Sequence, residues 1–589
     1  MTIKRNTSSY RYKYGIVAVM LSLLLALTGC AGSAADASSA NDAATATTSA
    51  TYDAASKSEM FTERDLSGDY DETSAAAIVL AGDTATVTAN SSAAESIANS
   101  VTVDGSTITI TKEGTYIVSG TLSDGQIIVD ADDSAKVQIV LKDASITSQT
   151  SAAIYVKSAD KVFITAAAGT KNTLANGGTF TAIDDSNIDG AVFAKDDITI
   201  NGSGSLTVTS PAGHGIVGKD DVKICGGNIT ITAAKHGVQA NDSVRVAEAA
   251  IDITAGTDGV HVSDNSDAEE GTASDSYFYM ADGSLTIAAG DDGIHADAQA
   301  LIEGGDIDVT KSYEGIEALD VEISGGDINV VATDDGINAA GGNTSQGTFG
   351  DDDWAGGKGG FPGGGGFSDG GSDGVINISG GNTHVKASGD GIDANGSVTI
   401  SGGYTVVEGP TNGDTSVIDY NTTATITGGT FIGTGGAGMA ESFSSAENQG
   451  MISVTTGNQS AGQTVTVTDG SGKTVAEVTP ALDYAVVYVS TPDIQQGSSY
   501  TLTAGSYSET IELTDAIYSN LSGMGGFGGG RGDMSGDFGG RSGMDDQSGD
   551  FGGHGGPGGH GGKGSMDGQP DSFGGDQTGS FGEGEGTNA

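Results

Sequence analysis

Apolar and polar residues alternate with period two through most of the chain, and the alternation itself recurs. Three stretches in register show it: DDGIHADAQALIEGGDIDVTKS (Asp291–Ser312), YEGIEALDVEISGGDINVVAT (Tyr313–Thr333) and DDGINAA (Asp334–Ala340). A later one, GDGIDANGSVTISGGYTVVEG (Gly389–Gly409), uses the same frame. Each period holds three short alternations. One follows an acidic residue and Gly (Ile294 and Ala296, Ile316 and Ala318, Ile337 and Ala339, Ile392 and Ala394). One precedes a Gly-Gly (Val321 and Ile323, Val398 and Ile400), and one follows it (Ile307 and Val309, Ile328 and Val330). Period two with β-branched residues predicts strands.

The anchor glycines Gly215, Gly237, Gly259, Gly293, Gly315, Gly336 and Gly391 are spaced by 22, 22, 34, 22, 21 and 55 residues. The 34 is one period plus a 12-residue insertion, and the 55 holds a further period (VINISGGNTHVKAS) and a Gly-rich insertion. A fixed period of this size predicts a solenoid. Three strands per turn make it an all-β parallel β-helix; a leucine-rich horseshoe needs a helix or a Leu frame, and neither is present. Stacking places Ile216, Val238, Val260, Ile294, Ile316, Ile337 and Ile392 in one interior ladder, and each rung depends on its neighbours to bury its apolar face.

Outside the repeat the pattern breaks. Residues 1–30 read as a targeting segment, with Lys4, Arg5, Arg11 and Lys13 before the apolar run Ile16–Leu27. That run is too short for a stable membrane span. It ends Leu27-Thr28-Gly29-Cys30, which resembles the bacterial lipoprotein signal and makes Cys30 the lipidation site, so the chain is expected on the outer face of the bacterial cell membrane, anchored through the lipid alone. Residues 31–74 lack periodicity and read as a flexible linker. Residues 75–440 read as the β-helix, with a Gly-rich insertion over 341–373. Residues 441–518 (GQTVTVTDGSGKTVAEVT, YAVVYVST, SYTLTAGSYSETIEL) read as a small antiparallel β cap over an otherwise open sheet edge. Residues 519–589 are a low-complexity Gly/Asp/Ser/Phe tail, expected to be disordered, and Arg531-Gly532-Asp533 within it is read as chance.

Composition sharpens the choice of partner. The formal net charge is −54, which argues against nucleic acid or an anionic membrane surface and permits cations. The chain has 98 glycines and two cysteines, so no structural disulfide is expected once Cys30 is lipidated. A monomer is expected.

The residue before each anchor Gly forms a column: Asp189, His214, His236, Asp258, Asp292, Glu314, Asp335 and Asp390. The residue two beyond it forms a second: Gln239, His261, His295, Glu317, Asn338 and Asp393, with Asp419 following. These second-column side chains alternate with buried Ile and are expected to face outward. Carboxylates stacked at rung spacing repel one another unless protonated or bridged. Ca²⁺ takes 6–8 oxygens at about 2.3–2.6 Å, so adjacent rungs can share an ion, with Asp-Gly backbone carbonyls completing the shell. The competing reading is ordinary turn chemistry, which Asp-Gly also serves. The first choice of ligands is Asp292, Glu314, Glu317, Asp335 and Asn338, with Asp258, Asp390 and Asp393 behind them.

A second candidate is Asp185-Ser186-Asn187-Ile188-Asp189-Gly190, ending at Asp196. It fits the first half of an EF-hand loop through Asp185, Asn187 and Asp189, but position twelve is Asp and no helices flank it. The alternative is a polar turn. His214, His236, His261 and His295 fall in the same two columns, either as transition-metal ligands or as hydrogen-bonded turn residues. Cys225 sits where sister rungs carry Ser324 and Ser401 and reads as a small corner residue.

The run GTYIVSGTLSDGQIIVDADDSAKVQIVLKDASITSQTSAAIYVKSADKVFIT resembles the N-terminal part of a family of bacterial surface proteins. DDGIHAD, GIEAL, DDGINA, GDGIDANGSVTISGG and VIDYNTTATITGGTFIGTGGAGMA resemble the rest of it. This is the carbohydrate-binding parallel β-helix family, and the likeness runs over about 75–440. The resemblance implies a right-handed β-helix similar to polysaccharide lyases, several bound Ca²⁺ ions, and binding of plant-wall polysaccharide such as polygalacturonate (pectin) or cellulose.

Catalysis is the competing reading. A lyase needs a Lys or Arg base near a calcium-held uronate. The regular rungs hold few such residues (Lys219, Lys223, Lys235, Arg245, Lys311, Lys386), of which Lys235 and Lys311 fall near the acidic column. An extended acidic face makes a poor lyase cleft, so a non-catalytic binder is favoured. A neutral glucan would need aromatic platforms, and the rungs offer Tyr313, Tyr404 and Tyr420; that mildly favours an acidic sugar. A passive adhesin or spacer with structural calcium stays open.

Overall fold

In a computed structural model the chain is described over residues 57–184, 186–263, 276–340, 374–410 and 415–521. The targeting segment with Cys30, Asp185, the 341–373 insertion and the tail beyond residue 521 lie outside the described residues.

Among the described residues the fold is all-β, with 39 strands joined in one long, mostly parallel sheet and a separate four-stranded sheet. The parallel pairs run as three interleaved ladders. In the first, Ile216 pairs with Val238, Val238 with Val260, Val260 with Ile294, Ile294 with Ile316, Ile316 with Ile337, and Ile337 with Ile392. All seven are at most 1% exposed, so the interior column read from the alternation exists as a continuous apolar stack. A second ladder aligns Val222, Val244, Phe278, Ala300, Val321, Ile376, Val398 and Ala424. The third aligns Ile229, Ile251, Leu285, Ile307, Ile328, Thr383, Thr405 and Phe431. The pairing of Val321 with Ile376 steps across the 341–373 insertion, so the solenoid-like stacking resumes in register on its far side.

The anchor glycines are small because two backbones approach there. A Cβ on Gly315 would lie 2.2 Å from the carbonyl oxygen of Gly336 and 2.2 Å from Val330 Cγ1. Gly237, Gly259 and Gly293 repeat this against the carbonyl of the next anchor at 2.5–2.6 Å. None of these has a positive φ, so the Asp-Gly pairs answer to rung packing rather than to a left-handed turn.

Residues 57–74, read from the sequence as the end of the linker, are docked on the flank of the sheet. Short helices at Lys57–Met60 and Glu63–Leu66 carry Phe61 onto Tyr279, Cys225 and Leu301. Asp65, wholly buried, meets Lys161 Nζ at 2.7 Å and accepts from Thr199 Oγ1 at 2.7 Å. Asn201 Nδ2 donates to the carbonyls of Arg64, Asp65 and Ser67. One buried ion pair and an amide fix a segment with no periodicity of its own.

At the far end, Tyr484–Thr491 pairs antiparallel with the last ladder strand, Thr430–Gly435, and with Gly450–Gln459. The four-stranded sheet (Val465–Asp469, Thr474–Val478, Ser499–Ala504, Tyr507–Glu512) is antiparallel throughout.

Candidate functional site

Both columns exist along the first ladder. The residue before each anchor Gly offers its carbonyl to the N–H of the preceding anchor: Gly237 donates to Asp258 O (3.0 Å), Gly259 to Asp292 O (2.9 Å), Gly293 to Glu314 O (2.9 Å), Gly315 to Asp335 O (3.0 Å) and Gly336 to Asp390 O (2.9 Å). These carbonyls were expected to complete a calcium shell; they are already tying the rungs together. The side chains are half-committed as well. Asp258 Oδ1 accepts from the N–H of Asp292 (3.2 Å), Asp292 Oδ1 from Glu314 (3.2 Å), and Asp335 Oδ1 from Asp390 (2.5 Å). Asp390 Oδ1 accepts from Ser416 N–H. One carboxylate oxygen thus fixes the next rung and leaves the other for the face.

The second column is a strict ladder of Gln239, His261, His295, Glu317, Asn338, Asp393 and Asp419. Its side chains were expected to face outward. They are instead largely covered: Asn338 is 6% exposed, and the His295 and Glu317 side chains 18% and 19%. Both columns, as far along as Glu317, line a cleft of about 810 Å³, to which Asp189, His214, His236, Asp258 and His261 also contribute.

Four groups stand along this face among the described residues, and in each the ligand-type atoms lie within 4.8 Å of one another. In the first, Asp258 Oδ2 sits 3.1 Å from His236 Nδ1 and 2.6 Å from His261 Nδ1. Burial opposes the Asp258 charge, but the two imidazoles hold its carboxyl well below the usual range. In the second, His295 Nδ1 is 2.5 Å from Glu317 Oε2 and 3.6 Å from Asp292 Oδ2, and its Nε2 is 3.4 Å from Asp297 Oδ1. Burial works against the charge of this imidazole, yet Asp292, Asp297 and Glu317 raise it well above its ordinary value. The third group, Asp335, Asp390 and Asp393, is oxygen only. Burial and mutual repulsion push these carboxyls up to about 6, 7 and 7. Asp291 forms a further group with Asp258 and Asp292.

The rings of His214, His236, His261 and His295 stack in one pile, with successive centroids 4.8, 4.2 and 4.9 Å apart. Burial, followed by the neighbouring His236 and Lys235, drives His214 down to about 2.

The five ligands ranked first from the sequence therefore do not meet at one point. Asp292 and Glu317 join His295, Asp335 joins Asp390 and Asp393, and Glu314 accepts from Asn338 Nδ2 at 2.8 Å. Burial and the charge of Glu317 raise Glu314 to about 8. Of the EF-hand-like stretch, Asp185 is outside the described residues. Asn187 Nδ2 donates to Asp189 Oδ2 (3.2 Å), and Asp189 also lies 3.8 Å from His214 Nε2 at the head of the cleft. Asp196 accepts from the N–H of Ala159 instead. Asp291 and Asp297 were not among the candidates. The acidic pair Asp291-Asp292 and the alternating HAD of His295–Asp297 were the available signals.

The geometry defines a class first: an all-β, solenoid-like chain with an acidic and histidine-lined cleft. Residues 104–352 match the family described as carbohydrate-binding domain-containing protein, in line with the resemblance the sequence carries. A carbohydrate-binding domain-containing protein of Acetivibrio thermocellus is 42% identical over 142 residues, covering 23% of this chain and 50% of the relative. The chain spans about half the length of that relative. A polysaccharide lyase-like protein from C. thermocellum, solved as a gadolinium derivative, is similar at 32% identity with a TM-score of 0.36, covering 45% of this chain and 96% of the other.

Proposed function

We propose that this chain is a cell-surface carbohydrate-binding protein, a right-handed parallel β-helix with rungs of about 22 residues. It binds Ca²⁺ along the acidic columns and, through that Ca²⁺, an acidic plant-wall polysaccharide such as polygalacturonate. The observation that carries the reading is the group of Asp335, Asp390 and Asp393, three carboxylates converging within 4.8 Å and crowded enough to hold protons near neutrality. A hard divalent cation replaces those protons and takes oxygen ligands only. Asn338 supports the fit. Its Oδ1 is buried without a partner among the described residues, and its strand neighbours are Glu317 and Asp393.

Charge selects the mechanism. A chain at −54 repels a polyuronate, so its carboxylates attract one only through a shared cation. Asp258, Asp292, Asp335 and Asp390 each spend one oxygen on the next rung, which leaves the other for a cation shared with a sugar carboxylate. The chain is held outside the membrane through lipid on Cys30. Lys235 in the cleft favours a second reading, a calcium-dependent lyase with that amine as base. The test is binding of the purified chain to immobilised polygalacturonate, in calcium and in chelator, with release of unsaturated ends followed in parallel. Binding that requires calcium without product release is expected. Product release that disappears in Lys235→Ala moves the assignment to the lyase, and no binding in either condition leaves a passive adhesin or spacer.

A further inference from the structure

The groups on this face differ in chemistry. Ca²⁺ favours oxygen, whereas imidazole suits Zn²⁺ and its first-row neighbours. We infer that His236, Asp258 and His261 form a binding site for a divalent transition-metal ion of the Zn²⁺ class, separate from the oxygen-only group at Asp335, Asp390 and Asp393.

Geometry supports this in three ways. A tetrahedral Zn²⁺ with bonds of about 2.0–2.1 Å sets its ligand atoms about 3.3 Å apart. The carboxylate Oδ2 of Asp258 already lies 3.1 Å from His236 Nδ1 and 2.6 Å from His261 Nδ1, so these two contacts need to open by only about 0.2 and 0.7 Å. Second, the ligands are held. Asp258 is 4% exposed and its Oδ1 is fixed by the N–H of Asp292, leaving Oδ2 aimed between the imidazoles. The His236 and His261 rings stack at 4.2 Å with 18° between their planes, which keeps the same edge of each toward the carboxylate. Third, His236 presents Nδ1 rather than Nε2 to the triad: Thr257 Oγ1 at 2.9 Å, the Asp258 N–H at 3.3 Å and Asp258 Oδ2 at 3.1 Å all meet that nitrogen.

A further oxygen stands ready. Gln239 Oε1 is buried without a partner among the described residues, and Gln239 is the strand neighbour of His261 in the cleft. Three protein ligands leave a fourth position for water, Gln239 or a sugar oxygen, the arrangement of an open rather than a purely structural site. The neighbouring trio of Asp292, His295 and Glu317 carries one imidazole rather than two, with His295 Nδ1 2.5 Å from Glu317 Oε2 and 3.6 Å from Asp292 Oδ2.

The experiment titrates Zn²⁺ into the metal-stripped full chain by calorimetry, with Ca²⁺ saturating throughout. One Zn²⁺ per chain is expected, weakened at least tenfold by His236→Gln, His261→Gln or Asp258→Asn and unchanged by Asp393→Asn or by the tail variant His554→Asn/His560→Asn. X-ray absorption on the zinc-loaded wild-type chain keeps the test valid if a variant fails to fold; scattering from two imidazoles is expected. Absence of zinc binding under saturating Ca²⁺, equal affinity in His236→Gln and His261→Gln, or an oxygen-only shell overturns the inference. Because calcium is present in every arm and no sugar is used, failure of polygalacturonate binding leaves this result untouched.

Discussion

Replacing Gly315 by Ala adds one carbon where the rungs have no room for it. The new Cβ would lie 2.2 Å from both Gly336 O and Val330 Cγ1, well over 1 Å inside ordinary contact. The rungs can yield only by separating there. Separation of that size carries the Gly315 N–H to Asp335 O bond (3.0 Å) and the Ile316 N–H to Gly336 O bond (3.2 Å) beyond useful length. Overpacking costs about 1–3 kcal/mol and two weakened backbone bonds about 0.5–1.5 kcal/mol each. The stiffer unfolded chain returns about 0.4–1 kcal/mol. The net loss is about 1–5 kcal/mol. Gly82→Ala is the control: nothing lies within 4 Å of its Cβ, but φ is +83°, so backbone strain of about 1–2 kcal/mol is the whole cost. Urea unfolding followed by far-ultraviolet circular dichroism measures both. Since Gly315 separates Glu314 from Glu317 and bonds to Asp335, calcium affinity falls in the same variant. A Gly315→Ala chain within about 0.5 kcal/mol of wild type would refute close approach as the reason for the repeated glycine.

Three further outcomes are expected. Asp65→Ala leaves buried Lys161 with only the longer contact to Asp197 Oδ2 at 3.8 Å, so residues 57–74 lose up to about 3–5 kcal/mol of protection in hydrogen exchange while the ladders keep theirs. Burial opposes the Asp65 charge but Lys161 outweighs it, holding the carboxyl well below its ordinary 3.8; the segment is therefore fully protected above about pH 4 and loses protection as pH falls below it. Cys225 is 2% exposed and burial pushes its thiol far up, so in a Cys30→Ser chain a thiol reagent reacts only after denaturant is added. Calcium at 100 times its Kd stabilises the folded chain by about 2.7 kcal/mol, raising the melting midpoint by a few degrees, and Asp390→Asn/Asp393→Asn removes that shift.

The interior ladder was legible because alternation and spacing both report it: Ile294, Ile316 and Ile337 recur at fixed distance from a glycine and pair as written. The meaning of that glycine was not. Asp-Gly spells a turn, and only the approach of Gly336 to Gly315 shows that volume rather than φ is the constraint. The columns were legible as columns, but their partition into groups was not. Whether Glu314 joins Glu317 or bonds to Asn338 depends on side-chain direction across rungs, which spacing does not encode. His295 sits between two carboxylates that the sequence shows only as separate repeats. The docking of residues 57–74 rests on partners far away in sequence, such as Lys161 for Asp65 and Tyr279 for Phe61, and the segment has no periodicity to announce them.

The central claim is that calcium on the acidic columns bridges this chain to a uronate polymer. Binding to immobilised polygalacturonate with and without chelator, in wild type and in Asp390→Asn/Asp393→Asn, tests it most directly. The account predicts retention in calcium, release by chelator, and at least a tenfold weaker hold in the double variant. Retention that ignores both chelator and substitution would contradict it and move the sugar contact to the exposed Tyr313 and Tyr404.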